Sequence, residues 1–325
     1  MAPNCSIVIA TVRRRDSLLE TLRALDPAGL EAEWPEGAEV VVVENTPEPE
    51  LDAAEIEHVG AGRVRLLHEP KRGKWRCLNT AIERGRREGW LGEIIAVLDD
   101  DMSPMPGWAA AVVDSGRTRP EHDLFAGKSH VQWPPGVPVP EWAEHYLALN
   151  VCFSILTWEG ETDREMGGIF PHPSGNHFWF RRSILESIPE SNPAFSPGWT
   201  TEIRFCMAAR ARGHRGLLIP RITCGHRVQP ALIDEDAFLH RAITVGHTMG
   251  RLRLAEERPR GAQALATRGK SAAALAVWTL RERRARRRAS RDHAPEIVIE
   301  RARAKLQLGR HGALLGLRRE IGDAP

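Results

Sequence analysis

Three consecutive aspartates, Asp99, Asp100 and Asp101, directly follow an apolar run in this chain. Carboxylate oxygens are the ligands that a hard divalent ion such as Mg²⁺ or Mn²⁺ prefers, and such an ion neutralises a diphosphate leaving group as its bond breaks. One carboxylate can hold the ion while another, two positions away, faces a nucleotide. A polar turn at a strand end is the simpler alternative, but a turn does not require three carboxylates that repel one another.

The elements that must position these aspartates are short apolar strands that alternate with helical patterns. In parallel sheets of this kind, ligands bind beyond the carboxyl ends of the strands. Thr11, Glu44 and Asp99 lie at or just past such ends, so we expect them to share one edge of the sheet. The patterns predict strands at 5–11, 39–44, 64–68, 93–98 and 217–222, and helices at 75–87 and 200–212.

A helix is also predicted directly after the first strand. Leu18, Leu22 and Leu25 give its apolar stripe. Ser17 and Glu20 have the spacing of a capping box, which predicts that this helix begins beside Ser17.

The last part of the chain has a different character. After about Asp234 the pattern is helical, with breaks near Pro259 and Pro295. From residue 251 onward there are 19 Lys and Arg against 8 Asp and Glu, whereas the first 250 residues contain 26 against 35. We therefore predict an acidic α/β domain over 1–230 and a basic, helical C-terminal extension over 231–325.

Six short segments, in their order and spacing, resemble family-2 glycosyltransferases of the GT-A fold, within the nucleotide-diphospho-sugar transferase superfamily. The resemblance covers about 6–226, and its segments are 6–11, 40–45, 73–79, 97–101, 106–108 and 201–202. It implies a Rossmann-like, mixed but mostly parallel sheet flanked by helices, with the catalytic nucleotide-sugar-binding domain at 1–230. It also implies an inverting, metal-dependent transferase of the hexosyltransferase type. Such an enzyme moves a sugar from a nucleotide-diphosphate sugar, for which we expect UDP, to an acceptor hydroxyl.

On the donor side, the resemblance implies that Thr11 and Glu44 contact the nucleoside and that Asp99 touches the ribose. Arg72 and Lys74, on either side of Gly73, carry charge that could neutralise the donor phosphates, although exposed basic residues are common. The other residues expected to bind the nucleotide sugar are Asn79 and Asp100.

The resemblance further implies that Asp101 binds Mn²⁺ or Mg²⁺ and that Glu202 is the general base for the acceptor hydroxyl. His226 follows the last predicted strand, where a histidine completes the metal site in several relatives; a packing or surface histidine is the alternative. The loop 173–177 is expected on the acceptor side through Gly175 and Asn176, and a plain turn fits its composition equally well.

Two alternatives remain open at this point. A nucleotidyltransferase of similar fold usually has a glycine-rich loop after its first strand, and the residues from Thr11 to Arg15 include no glycine. A non-catalytic nucleotide-binding relative would be expected to lose the acidic residues, and Asp99, Asp101 and Glu202 are all present.

Partners and compartment follow from charge and cysteine usage. The five cysteines have no paired spacing, and no apolar run reaches the ~18 residues of a membrane span, so we expect a reduced, cytoplasmic protein. Seven arginines lie between Arg281 and Arg291, which suits peripheral contact with the inner face of a membrane, a lipid-linked or other phosphorylated acceptor, or a solvated helix. A small-molecule acceptor is equally open. Nucleic acid is disfavoured, because no aromatic residues interleave with the arginines.

Overall fold

The computed structural model describes residues 5–25, 37–60, 62–158, 160–167, 175–188, 194–195, 201–292 and 294–316, with the backbone alone for 146–149. These residues contain the strands β1 (Cys5–Thr11), β2 (Ala38–Glu44), β3 (Val64–His68), β4 (Ile94–Asp99), β5 (Met102–Pro104), β6 (Leu124–Gln132), β7 (Arg164–Glu165), β8 (His177–Arg181) and β9 (Gly216–Arg227). The strands form one sheet in the order β3-β2-β1-β4-β8-β6-β9-β5, and β7 pairs with β9.

The helices that accompany this sheet are α1 (Arg15–Leu25), α2 (Ala53–Val59), α3 (Lys74–Glu88), α4 (Trp108–Thr118), α6 (Ser183–Glu186) and α7 (Thr201–Ala211). A second set consists of α5 (Glu141–Glu144), α8 (Glu235–Glu257), α9 (Gly261–Ala289) and α10 (Pro295–Leu314), with 3₁₀ turns at Tyr146–Phe153 and Pro230–Ile233. Among the described residues, no helix combines the length and apolar character needed to cross a membrane.

The register of the parallel strands brings their carboxyl ends together. β1 pairs in parallel with β2 and β4, so that Thr11 lies opposite Glu44 and Ala10 opposite Asp99. β8 runs antiparallel between β4 and β6, and this insertion makes the sheet mixed. The predicted fold class, a mixed but mostly parallel sheet flanked by helices, is therefore confirmed.

Both faces of the sheet are buried, which explains why its strands are apolar runs without alternation. Ile7 and Ile9 of β1 pack on one face in a core that includes Leu22 of α1. Val8 points to the other face and packs in a core that includes Leu78 of α3. The helices on the two faces thus fix the positions from which the strand ends project.

The start of α1 corrects one prediction. The helix begins at Arg15, so Ser17 lies inside it and the predicted capping box does not form. The Ser17 hydroxyl instead donates a hydrogen bond, 2.8 Å long, to the backbone carbonyl of Asp100, which lies across from the helix. The helix predicted over 200–212 is observed as Thr201–Ala211, and residue 200 lies outside the described part.

The chain divides into two compact units. The sheet unit comprises 1–132 and 156–227, and the helical unit comprises 133–155 and 228–325. The segment 133–155 thus groups with the C-terminal helices, and the domain boundary at residue 230 stays a prediction. Within the helical unit, α8 and α10 approach closely at glycines: a Cβ on Gly246 would lie 1.8 Å from the carbonyl oxygen of Leu306.

All five cysteines are buried and unpaired. Burial raises the pKa of the Cys5, Cys77 and Cys152 thiols to about 12. The thiols therefore behave as small apolar side chains of the two units.

Candidate active site

The backbone of the aspartate triplet is held from outside its own loop. The carbonyl oxygen of Asp100 accepts hydrogen bonds from Ser17 Oγ at 2.8 Å, from Thr21 Oγ1 at 2.8 Å and from Arg227 Nη2 at 3.1 Å. Arg227 is the last residue of β9, and its guanidinium also donates to the carbonyl of Met102 at 2.9 Å. Helix α1 and strand β9 therefore fix the backbone between Asp99, the predicted ribose contact, and Asp101, the predicted metal ligand.

The Asp100 side chain turns back toward the end of β1. Thr11 Oγ1 donates to Asp100 Oδ2 at 2.7 Å, and Arg14 Nη1 lies 3.2 Å from Asp100 Oδ1. Burial raises the pKa of Asp100, and the hydrogen bond from Thr11 opposes that effect. Thr11 and Asp100, both predicted to bind the nucleotide sugar, are thus bonded to each other at the sheet edge.

Asp101 lies between two basic side chains. Arg14 Nη1 donates to Asp101 Oδ2 at 3.0 Å, and His226 Nε2 lies 3.6 Å from Asp101 Oδ1. That second distance is longer than a hydrogen bond, and Oδ1 is buried with no hydrogen-bond partner among the described residues. Burial alone would raise the pKa of Asp101, but the neighbouring His226 and Arg14 outweigh burial and lower it.

His226 reaches this position through strand pairing. β5 pairs antiparallel with β9, which places His226 opposite Met102, the residue after Asp101. The sequence-predicted metal pair is therefore brought together by two strands that are far apart along the chain. Across the described ranges, no three His, Cys, Asp or Glu side chains converge to enclose a metal ion.

Lys74, the first residue of α3, lies among oxygens of β4, of α7 and of the turn before β8. Its ammonium group pairs with Asp99 at the end of β4 and, at 2.6 Å, with Glu202 in the first turn of α7. It also donates to the carbonyl oxygen of Gly175 at 2.6 Å. Burial by itself would lower the pKa of Lys74, but the charges of Asp99 and Glu202 outweigh it and raise the pKa, so the ammonium stays charged.

Gly175 lies against the Glu202 carboxylate. A Cβ on Gly175 would lie 2.6 Å from Glu202 Cδ and 2.8 Å from each carboxylate oxygen, so only glycine fits without moving that group. The carbonyl of the next residue, Asn176, accepts from the amide of Asp99 at 3.2 Å and extends the pairing of β4 with β8. Pro173 and Ser174, the start of the predicted acceptor-side loop, lie outside the described residues.

The end of β2 organises the loop that leads to Lys74. Glu44 is buried, and its Oε1 accepts from the backbone amides of Glu50 and Leu51 at 2.7 and 3.1 Å. Asn45 accepts from the amide of Gly73 at 2.7 Å, and its own amide group donates to two carbonyls in the segment 69–71. Gly73 has a φ of 136°, which side chains rarely adopt. This glycine and Asn45 together fix where α3 begins.

Two predicted donor-side residues have other surroundings. Asn79 is buried and makes two hydrogen bonds with the backbone of Phe195, donating at 2.8 Å and accepting at 2.9 Å. Arg72 is exposed, and no hydrogen bond or ion pair joins it to another described residue. Direct donor contacts by Asn79 and Arg72 remain predictions.

Sequence reasoning missed Arg14, Asn45 and Arg227, which hold the predicted site residues by hydrogen bonds. Arg14 and Asn45 lie within three residues of a strand's carboxyl end, and that position is the signal by which they could have been found. Arg227 ends β9, but the sequence pattern predicted that this strand ends at residue 222, and the partners of Arg227 lie up to 210 residues away along the chain.

A mixed, mostly parallel sheet with helices on both faces places the chain in the α/β class, in which ligands bind at the carboxyl ends of the strands. Residues 6–188, more than half of the chain, match glycosyl transferase family 2, and the chain belongs to that family. The predicted family is thereby confirmed, and the protein is a glycosyltransferase. No curated protein matches the chain.

Solved structures similar to this chain include a mannosyltransferase from Pyrobaculum calidifontis in complex with GDP-mannose and Mn²⁺. It is 15% identical, with a TM-score of 0.51 over 100% of this chain and 77% of that one. GalNAc-T7 with UDP, GalNAc and Mn²⁺ is 14% identical over 74% of this chain and 48% of its own, with a TM-score of 0.48. TarS from S. aureus is 14% identical over 78% and 42%, with a TM-score of 0.44. The structural similarity to the mannosyltransferase shows that this chain has the GT-A fold.

Proposed function

We propose that this glycosyltransferase is an inverting, metal-dependent enzyme that moves a sugar from a nucleotide-diphosphate sugar to an acceptor hydroxyl. The observation that carries the proposal is the position of the Lys74 ammonium between Asp99, at the end of a central strand, and the buried carboxylate of Glu202. This contact links a donor-side residue to the proposed base at the sheet edge where α/β enzymes bind ligands.

Glu202 is the proposed general base. As the acceptor oxygen bonds to the anomeric carbon, the bond from that carbon to the diphosphate oxygen breaks, and Glu202 takes the hydroxyl proton. One base suffices for this single displacement, which inverts the anomeric centre. Lys74 binds Oε1 of Glu202 and so orients the carboxylate, and Gly175 leaves the space that the carboxylate occupies.

Asp101 and His226 are the proposed protein ligands of Mn²⁺ or Mg²⁺. The buried Oδ1 of Asp101 has no hydrogen-bond partner among the described residues and lies 3.6 Å from the imidazole nitrogen of His226, and these two atoms are a donor set that suits such an ion. When bound, the ion would neutralise the departing diphosphate. Since the described chain supplies two such groups, diphosphate oxygens and water are proposed to complete the coordination.

The donor is proposed to bind across the ends of β1, β2 and β4. Thr11, Glu44 and Asp99 are proposed to contact the nucleoside, because the register places these three ends side by side. Lys74 and the backbone at Gly73 are proposed to face the phosphates. UDP is the proposed nucleotide, and GDP is the necessary comparison because the structurally similar mannosyltransferase was solved with GDP-mannose.

Calorimetry and thermal shift with UDP, GDP and their sugars, with and without Mn²⁺ or Mg²⁺, test this proposal. We expect one nucleotide to raise the melting temperature of the wild type only when a metal is present. Asp101→Ala should lose that stabilisation, whereas Glu202→Gln should keep it and lower sugar transfer or donor hydrolysis about 10²- to 10⁴-fold. Asp114→Asn, an exposed acid on α4, is the matched control and should behave as the wild type.

Two outcomes would contradict the proposal. If no nucleotide diphosphate binds under any metal condition, the donor and metal assignments are wrong. If Glu202→Gln retains wild-type turnover, the base assignment is wrong even though the nucleotide binds.

A further inference from the structure

Helix α9 has one face that packs within the helical unit and one that does not. Its buried residues, Ser271 and Ala285, lie on the same side as Glu282, which pairs with Lys305 of α10 at 3.8 Å. At 100° per residue these three positions lie within about 60° of one another. The opposite side of α9 is therefore the side turned away from α10.

That opposite side is apolar along the first two-thirds of the helix. Leu265, Val277 and Leu280 are 71%, 49% and 54% exposed, and they are three of the four exposed large hydrophobic side chains among the described residues. Ala273 and Ala276 are also exposed, and helical spacing places them on the same face. The strip from Leu265 to Leu280 is about 22 Å long at 1.5 Å per residue. This α9 apolar strip is left uncovered by the described residues.

The same face continues directly into arginines. Arg283, Arg284 and Arg287 are exposed and lie within about 100° of each other, on the line of the strip. Glu282 is the only acidic residue between 261 and 289, and it faces α10. The exposed face of α9 therefore carries apolar side chains and positive charge, with no carboxylate.

We infer that the exposed face of α9 binds the surface of a membrane that contains anionic lipids. Arginines pair with lipid phosphates at the headgroup level, and the apolar strip enters the boundary between headgroups and acyl chains. The charge of the face is complementary to such a surface, and α9 is too polar to cross it. A helix of this composition lies along the interface.

The aromatic content of this face argues against a nucleic-acid partner. Single strands are bound by basic grooves with aromatic side chains on which bases stack. Trp278 is half-buried and already stacks against the Arg281 guanidinium, 4.6 Å from its ring centroid. A nucleic acid would also leave the apolar strip in water, whereas a membrane covers the strip and the arginines together.

Flotation of the full chain with vesicles tests the inference. Neutral phosphatidylcholine vesicles are compared with vesicles that contain about one-third phosphatidylserine or phosphatidylglycerol. One variant carries Arg283→Gln, Arg284→Gln and Arg287→Gln, a second carries Leu265→Gln, Val277→Gln and Leu280→Gln, and the charge-matched control carries Arg23→Gln, Arg86→Gln and Arg212→Gln. All these side chains are exposed, so circular dichroism and melting temperature should stay unchanged.

We expect the wild type and the control to bind anionic vesicles within twofold of each other and both to bind neutral vesicles at least tenfold more weakly. The arginine variant should bind anionic vesicles at least tenfold more weakly, since one basic residue near an anionic surface contributes roughly fivefold. The apolar variant should also lose at least tenfold, because it removes the side chains that enter the boundary between headgroups and acyl chains. Equal binding by the wild type and either α9 variant would overturn the inference. So would the absence of wild-type binding, or tighter binding to single-stranded RNA or DNA than to vesicles.

Discussion

Replacing Gly175 with alanine is expected to lower turnover about 10- to 100-fold while the fold stays intact. The new Cβ would lie 2.6 Å from Glu202 Cδ and 2.8 Å from each carboxylate oxygen. Carbon atoms in ordinary contact are about 3.5–4.0 Å apart, so the carboxylate must move by about 1 Å. A displacement of this size at a reacting group costs up to about 10²-fold in rate.

The effect on stability should be small by comparison. The clash involves the far end of a flexible side chain and no backbone atom, so the carboxylate can move while the backbone stays in place. Glycine-to-alanine changes at compatible sites stabilise by about 0.4–1 kcal/mol through the unfolded chain, which offsets part of the local strain. We therefore expect the free energy of unfolding to change by less than about 1 kcal/mol.

The assay compares kcat for donor hydrolysis or transfer, together with nucleotide affinity, in Gly175→Ala and in Gly167→Ala. Gly167 is the matched control, because a Cβ there would have no heavy atom of the described residues within 4 Å, apart from its chain neighbours, and its φ is not positive. Gly167→Ala should keep wild-type kcat. If Gly175→Ala keeps more than half of the wild-type kcat, or if both variants lose activity equally, the position of Glu202 does not control turnover.

Three further results are expected. Lys74→Met leaves the carboxylates of Asp99 and Glu202 without their shared cation, so the free energy of unfolding measured in urea should fall by about 2–4 kcal/mol. The double variant Lys74→Met/Glu202→Gln should recover part of that loss, and a loss under about 1 kcal/mol in Lys74→Met would contradict the pairing. Burial lowers the pKa of His177 from 6.5 to about 3, so the stability that its neutral imidazole contributes is complete above pH 6.5 and declines as the pH falls toward 3. At pH 5.5 the free energy of unfolding should have fallen by about 1.4 kcal/mol through this residue. The melting temperature of His177→Gln should fall less steeply than that of the wild type as the pH is lowered from 7.5 to 5. Equal slopes for the two proteins would argue against a buried neutral imidazole. Gly127→Ala places a Cβ 1.9 Å from a backbone carbonyl of β9 and should cost at least about 2 kcal/mol, whereas an unchanged melting temperature would refute the close approach of β6 and β9.

The strands that carry the donor-side residues could be predicted to within one residue. β1 and β3 begin and end as predicted, β2 begins one residue earlier, and β4 is shifted by one residue at both ends. These strands are buried on both faces, so their apolar runs stop where the polar ends reach solvent. The shared edge of Thr11, Glu44 and Asp99 follows from that pattern alone.

The contacts that hold the site could not be predicted, because they depend on the order of strands in the sheet. Ser17 has the local spacing of a cap, yet its hydroxyl bonds to a carbonyl 83 residues away. His226 faces Asp101 only because β5 pairs antiparallel with β9. Neither pairing leaves a periodic signal in the sequence. Local propensity was therefore a poor guide to these side chains, although it described the backbone elements well.

The buried thiols give this protein a practical property. A thiol with a pKa of about 12 is roughly a thousandfold less ionised near neutral pH than an ordinary one, and only the thiolate reacts readily with maleimides and iodoacetamides. Since all five native cysteines are buried, one cysteine introduced on an exposed surface would take a fluorophore selectively without removing any of them. A probe at position 266, next to the apolar strip of α9, could then report its surroundings in a folded, otherwise unaltered chain.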